Sequence, residues 1–180
     1  MKLSEVFQGA AFGMMDGIIL IVGLLIGVSE ATASHKIVIV SGLVGGIANA
    51  FGNSIGFYTS ESAERGEQIK FHKARGKKIE DGYVHTHEEM LASSALSFIA
   101  TIIALIFPIA PFFFFADIGT AMIACVAVSA VMLFCLGTYI AKLNDECWWK
   151  SGLKYALLGF AGAVIAYFIG DVMGHWILGA

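Results

Sequence analysis

Proline and charge are what this chain most lacks. Two prolines in 180 residues leave few places where a helix must break. Charged residues make up 14% of the chain, against roughly 25% in water-soluble domains. Three cysteines without a C-x-x-C pair exclude a disulfide scaffold and a cysteine-rich metal module. Cys125 and Cys135 lie in an apolar run and read as small buried hydrophobes. The basic residues do not exceed the acidic ones, and the net charge is −3, so nothing points to nucleic acid as a partner. What remains is apolar: 58% of the chain is hydrophobic and the mean hydropathy is +0.80. A disordered chain is excluded, and a water-soluble domain is strongly disfavoured.

The charges are also unevenly placed. Thirteen of the 25 fall within the 29 residues from Glu61 to Glu89. Val6–Ser29 holds only Asp16, Ile37–Ser60 none, Met90–Ala116 none, Ile118–Ala141 none, and Tyr155–Ala180 only Asp171. A spanning helix needs about 20 predominantly apolar residues. The pattern predicts five, at about 6–29, 37–60, 90–107, 118–141 and 153–178, in one membrane domain covering 1–180. No alternating barrel pattern is present, so the fold class is all-α and membrane-spanning, with a charged cytoplasmic segment at 61–89. With five spans, ten of the 11 Lys and Arg fall on the side of the N-terminus and only Lys36 on the other. The positive-inside rule then puts the N-terminus in the cytoplasm and the C-terminus outside. A cleavable signal peptide ending at Ala31-Thr32-Ala33 is a weaker reading, because Asp16 interrupts its apolar run.

Asp16 is the sharpest feature. At 1.5 Å per residue it lies about 15 Å in from Val6, near the middle of a hydrocarbon layer about 30 Å thick. A charge there costs at least about 2.5 kcal/mol, so it marks a functional site. Counting back from Ser60 along the oppositely running second span, Asn53 and Asn49 lie about 10 and 16 Å deep. The two Asn share a face at i and i+4, so a carboxylate and two amide oxygens meet at one depth, a set suited to a hard cation. Met14 and Met15 are adjacent sulfur donors, read mainly as packing. Gly9, Gly13 and Gly17, with Gly23–Gly27, Gly42–Gly46 and Gly52–Gly56, repeat the small-x-x-x-small spacing of close helix contacts, within the chain or across a dimer.

These residues resemble the family of vacuolar iron and manganese transporters. The likeness lies in Asp16-Gly17 within a Gly-rich first helix and in the second-helix ending Gly56-Phe57-Tyr58-Thr59-Ser60-Glu61-Ser62. It continues through the Pro108-Ile109-Ala110-Pro111 turn, Leu133–Tyr139, and Trp148-Trp149-Lys150-Ser151-Gly152. The resemblance implies five helices per subunit, a homodimer, and export of Fe²⁺ or Mn²⁺ from the cytosol in exchange for protons. It implies no tightly bound cofactor; the metal is cargo. The family's first-helix Asp maps onto Asp16. Its second-helix Met positions fall on Asn49 and Asn53, and a Glu that some members carry falls near Gly45 and is absent. Oxygen in place of sulfur favours harder cations.

Within 61–89, Glu61, Glu64 and Glu67 lie at helical spacing, and His85, Glu88 and Glu89 share a face just before the third helix, so both sets are candidate metal ligands. The resemblance makes this segment a short version of the family's cytoplasmic metal-binding domain. At the other end, Asp171 and His175 stand at i and i+4 on the side that holds Glu30, His35 and Asp117; interfacial polarity beside Trp176 is the plainer reading. His87-Glu88-Glu89-Met90-Leu91 starts like H-E-x-x-H but lacks the second His, so no hydrolase is indicated and the chain reads as a non-enzyme. The expected protein is therefore a divalent-metal transporter with Asp16 alternately holding metal and proton. A non-transporting metal sensor and a carrier of another small cation are the rivals. A short chain without organelle targeting suits a prokaryotic plasma membrane.

Overall fold

The computed structural model describes residues 3–74, 84 and 86–178. Apolar sequence that must satisfy its own backbone in lipid forms helix. The described chain is α1 (Leu3–Thr32), α2 (His35–Ala74), α3 (His87–Ile109), a short α4 (Pro111–Phe114), α5 (Ile118–Leu143) and α6 (Trp148–Met173). A π turn, Gly174–Leu178, ends it. Five helical stretches are long and apolar enough to cross a membrane: Phe7–Thr32, His35–Ala74, His87–Phe114, Ile118–Leu143 and Trp148–Ile177. The protein is an all-helical, multi-pass integral membrane protein.

α1 is the centre, with α2, α3, α5 and α6 packed around it. Its residues Ile18, Ile21, Val22, Leu25 and Ile26 are at most 3% exposed, and with Val38, Leu105, Ile109, Cys125 and Leu133 they form the apolar core. α1, α3 and α6 run one way; α2 and α5 run the other. The glycines set these directions through close approach. Gly9 and Gly13 lie against the Ser93 and Ser97 carbonyls of α3. At Gly17 a Cβ would come within 3.1 Å of Thr101 Cγ2. Gly170 of α6 lies against the Gly27 backbone of α1, and Gly174 against Ala31. Gly42 receives the Leu25 side chain of α1, and Gly46 that of Leu105 on α3. Close backbone approach of this kind is how helices gain dispersion energy where lipid removes the hydrophobic drive.

Several element ends differ from the sequence expectation; α1, for one, runs from Leu3 to Thr32 against about 6–29. α2 does not stop at residue 60 but continues to Ala74, 40 residues in all, or about 60 Å. Its last turns contain no Pro, and Gln68 donates to Glu64 Oε1 at 3.2 Å one turn back, so the helix persists beyond its apolar part. α3 begins at His87, where Thr86 and Glu89 form a reciprocal capping box. α6 begins at Trp148, five residues ahead of the expected 153. Pro108 falls at the end of α3 and Pro111 opens α4, so the two prolines mark the connection between these two helices. Between α1 and α2, Ala33 adopts φ 46°, a left-handed conformation that a Cβ disfavours.

Gly170→Ala should therefore destabilise by about 1–3 kcal/mol, because a methyl meets backbone that cannot move aside. Gly52→Ala and Gly56→Ala, which meet nothing within 4 Å, should be near neutral in the monomer. Thermal unfolding in detergent at monomer concentrations measures both.

Candidate functional site

The glycine face of α1 brings α2 and α3 close, and the polar residues at mid-depth then meet. Asp16 stands on the side of α1 that faces α2. Asn49 Nδ2 donates to Asp16 Oδ2 at 3.1 Å, and both residues are half-buried. The depth match between the two spans is thus a direct hydrogen bond, the strong kind in which the acceptor carries charge when ionised. With Nδ2 engaged, the amide oxygen of Asn49 is the atom left for another partner.

Asn53 does not join Asp16. One turn along α2 it is buried against α3, where its Nδ2 donates to Thr101 Oγ1 at 3.2 Å. The Thr101 hydroxyl lies 2.9 Å from both the Gly13 and Ser97 carbonyl oxygens, and its single proton serves those two acceptors. Gly13 is required there, since a Cβ would stand 2.8 Å from Thr101 Oγ1 and 2.7 Å from Ser97 Oγ. The Ser97 hydroxyl is fully buried and has no hydrogen-bond partner among the described residues. Two polar contacts therefore lock α2: Asn49 to α1 and Asn53 to α3. Thr101 was missed in the sequence, although Ser93, Ser97 and Thr101 repeat every four residues along an otherwise apolar run. Met14 and Met15 pack against the core.

The described carboxylates of 61–89 differ in their surroundings. Glu61 is buried near the point where α2 leaves its apolar part, whereas Glu64, Glu67 and Glu88 are exposed. Glu64 accepts from Gln68. Glu89 Oε2 accepts the Thr86 backbone N–H at 3.0 Å, which ties it to the start of α3. Arg65 lies 2.9 Å from His87 Nε2, which bridges α2 and α3; because a guanidinium only donates, His87 is the acceptor. His85 and residues 75–83 lie outside the described residues. Among the described residues no three His, Cys, Asp or Glu side chains are grouped so as to hold one metal ion.

At the opposite end the polar groups meet in small sets. His175 Nδ1 is 3.3 Å from Asp171 Oδ1. Glu30 faces Tyr167. His35 Nε2 contacts the Phe115 carbonyl at 3.0 Å. Asp117 caps α5, accepting the hydroxyl and the backbone N–H of Thr120 at 2.7 Å each. Those bonds hold its carboxyl below the usual carboxylate range and commit it to the helix start.

Residues 7–92 and 67–171 match the sequence profile of the VIT family. The chain belongs to the VIT family. This is a family of transporters, not of enzymes. An uncharacterised protein of the archaeon Methanocaldococcus jannaschii is 33% identical over 87% of this chain and 84% of its own. Vacuolar iron transporter homolog 1 of Oryza sativa subsp. japonica is 26% identical, over 93% of this chain and 73% of the relative. Vacuolar iron transporter homolog 3 of Arabidopsis thaliana is 25% identical, over 96% and 86%. The matched regions of this VIT-family chain include Asp16, Asn49, Asn53 and Thr101.

Thr101→Val keeps the shape and removes the hydroxyl that Asn53 and Gly13 use. It should lower stability by about 1 kcal/mol, and Asn53→Leu combined with it should recover part of that loss, because both polar partners are then gone. Chemical unfolding of the two variants in detergent tests this.

Proposed function

We propose that this VIT-family protein exports a divalent metal ion of the Fe²⁺ or Mn²⁺ type from the cytosol by exchange for protons at Asp16. The observation that carries the reading is the Asn49–Asp16 hydrogen bond inside the spanning bundle. It presents one carboxylate and one amide oxygen side by side, a hard donor pair. A carboxylate does not hold a proton and a cation at full strength together. Metal arriving from the cytosolic side displaces the proton, and a proton from the far side displaces the metal once access has switched. Asn49 orients the carboxylate and offers its oxygen to the ion; Asn53, through Thr101, fixes the helix that carries Asn49. The relatives' printed names, vacuolar iron transporter homologs, support iron as one cargo.

Sidedness rests on charge. The end at which α1 begins also holds the charged end of α2, the start of α3 and the loop from α5 to α6, and among the described residues it carries Arg65, Lys70, Lys73, Lys142, Lys150 and Lys154, against Lys36 at the other end. That end is assigned to the cytoplasm, and the C-terminus to the outside. There Glu61, Glu64, Glu67, Glu88 and Glu89, with His85, raise the local concentration of cations. The membrane is assigned as a prokaryotic plasma membrane, a reading supported by the archaeal relative.

The working unit is read as a homodimer. Asp16 and Asn49 are only half-buried in one subunit, and a charge facing lipid at that depth is costly. Gly52 and Gly56 stand three and seven residues beyond Asn49, on the same side of α2, with nothing within 4 Å. A second copy laid on this face covers the site and gives those glycines their close contact.

Asp16→Asn conserves shape and the donor from Asn49. In proteoliposomes it should abolish Mn²⁺ and Fe²⁺ flux, and the proton counter-flux with it, while the folded yield stays within about twofold of the parent. Retention of full flux by that variant removes Asp16 from the mechanism. Competition among Fe²⁺, Mn²⁺, Co²⁺, Zn²⁺ and an organic amine separates metal transport from a carrier of other cations, and binding without flux would identify a sensor.

A further inference from the structure

The start of α6 carries a second arrangement of charge and apolar surface, remote from Asp16 in sequence and outside the proposed transport site. Lys150 and Lys154 are i and i+4 on one exposed face. Between and beyond them along the helix, Leu153, Leu157 and Leu158 are 44%, 56% and 52% exposed. The five side chains line one open groove of about 490 Å³. Among the described residues neither lysine makes an ion pair, and Lys154 has only the Tyr155 ring, whose centroid is 5.6 Å from its Nζ. Trp148 and Trp149, immediately before Lys150, are half-exposed, and Trp149 packs edge-on against Phe134 of α5 at 5.4 Å. The nearby charges in sequence are Lys142, at the end of α5, and Asp145 and Glu146, in the loop before α6.

Each part has a physical reading. Tryptophans at a helix end sit at the level of lipid headgroups. Lys150 directly follows them at that level, and Lys154, just over a turn further in, brings its ammonium group to it by extending along the helix. A Leu stripe a turn deeper meets acyl chain. Two unpaired cations above an apolar groove are complementary to one kind of molecule, with a negative head and a hydrocarbon tail. We propose that Lys150, Lys154 and the Leu153–Leu157–Leu158 groove form a binding site for an anionic phospholipid. The phosphate sits between the two ammonium groups and one acyl chain lies along α6. The preference comes from the head, since a zwitterionic lipid with the same tails fills the groove but leaves the net charge of the lysines uncompensated.

The experiment uses the full-length protein in detergent micelles, with phosphatidylglycerol and phosphatidylcholine of identical acyl chains offered at equal concentration and bound lipid counted by native mass spectrometry. The parent should retain phosphatidylglycerol in excess, and Lys150→Gln with Lys154→Gln should lower that excess about fivefold for each lysine removed. Lys36→Gln, at the other end of the bundle, is the control and should leave it unchanged. Thermal unfolding of the double variant without added lipid should match the parent, which separates a lost site from a lost fold. Equal retention of the two lipids by the parent overturns the proposal, as does an excess that survives the double substitution. So does an excess that inorganic phosphate at millimolar concentration removes, because the groove would then contribute nothing and the lysines would be a plain phosphate site.

Discussion

An ionisable group halfway through a membrane persists only where a partner is brought to it, and in this protein that partner is Asn49. The bond between its amide and Asp16 depends on how near α2 can come to α1. That nearness depends on residues without side chains: Gly42 and Gly46 accept leucines from α1 and α3, and Gly9, Gly13 and Gly17 let α3 lie against α1. The high glycine content is therefore tied to the site through geometry. The remaining spans serve the same end. α6 seats Gly170 on Gly27 and holds the far half of α1, while α5 adds Ala121, Cys125 and Leu133 to the core that holds Ile18 and Val22.

The two Asn divide the labour. Four residues apart on one helix, they are rotated by only about 40° from one another, enough for Asn49 to meet α1 and Asn53 to meet α3. Asn49 belongs to the candidate site and is half-exposed; Asn53 is a buried fastener whose partner, Thr101, also holds the Gly13 carbonyl. A helix pinned at both positions keeps Asn49 at a fixed height beside Asp16. Movement that changes access to Asp16 must then break one of these bonds or carry α1, α2 and α3 together.

Much of this was legible in the sequence because burial in lipid is a one-dimensional problem. Runs with at most one charge mark the five spans, and counting residues places Asp16 level with Asn49. What depth does not supply is rotation about the helix axis. That is why Asn53 was expected beside Asp16 and instead faces Thr101, and why Thr101 itself passed unnoticed among the serines of α3. Beyond the apolar runs the rule loses its force. The extension of α2 to Ala74 is sustained by local pairs such as Gln68–Glu64, which no hydropathy count detects. Glu89, read as a ligand from its neighbours His85 and Glu88, also fits the S/T-x-x-E capping pattern with Thr86, and that local bond is the one formed.

The central claim is that the Asp16 carboxyl exchanges a proton for a divalent cation while Asn49 stays beside it. Infrared difference spectroscopy on the purified protein in lipid, with and without Mn²⁺, reads this directly. The account predicts that metal removes one protonated-carboxyl band and adds a carboxylate band, both absent in Asp16→Asn. A metal-induced spectrum that is identical in the parent and in that variant would contradict it.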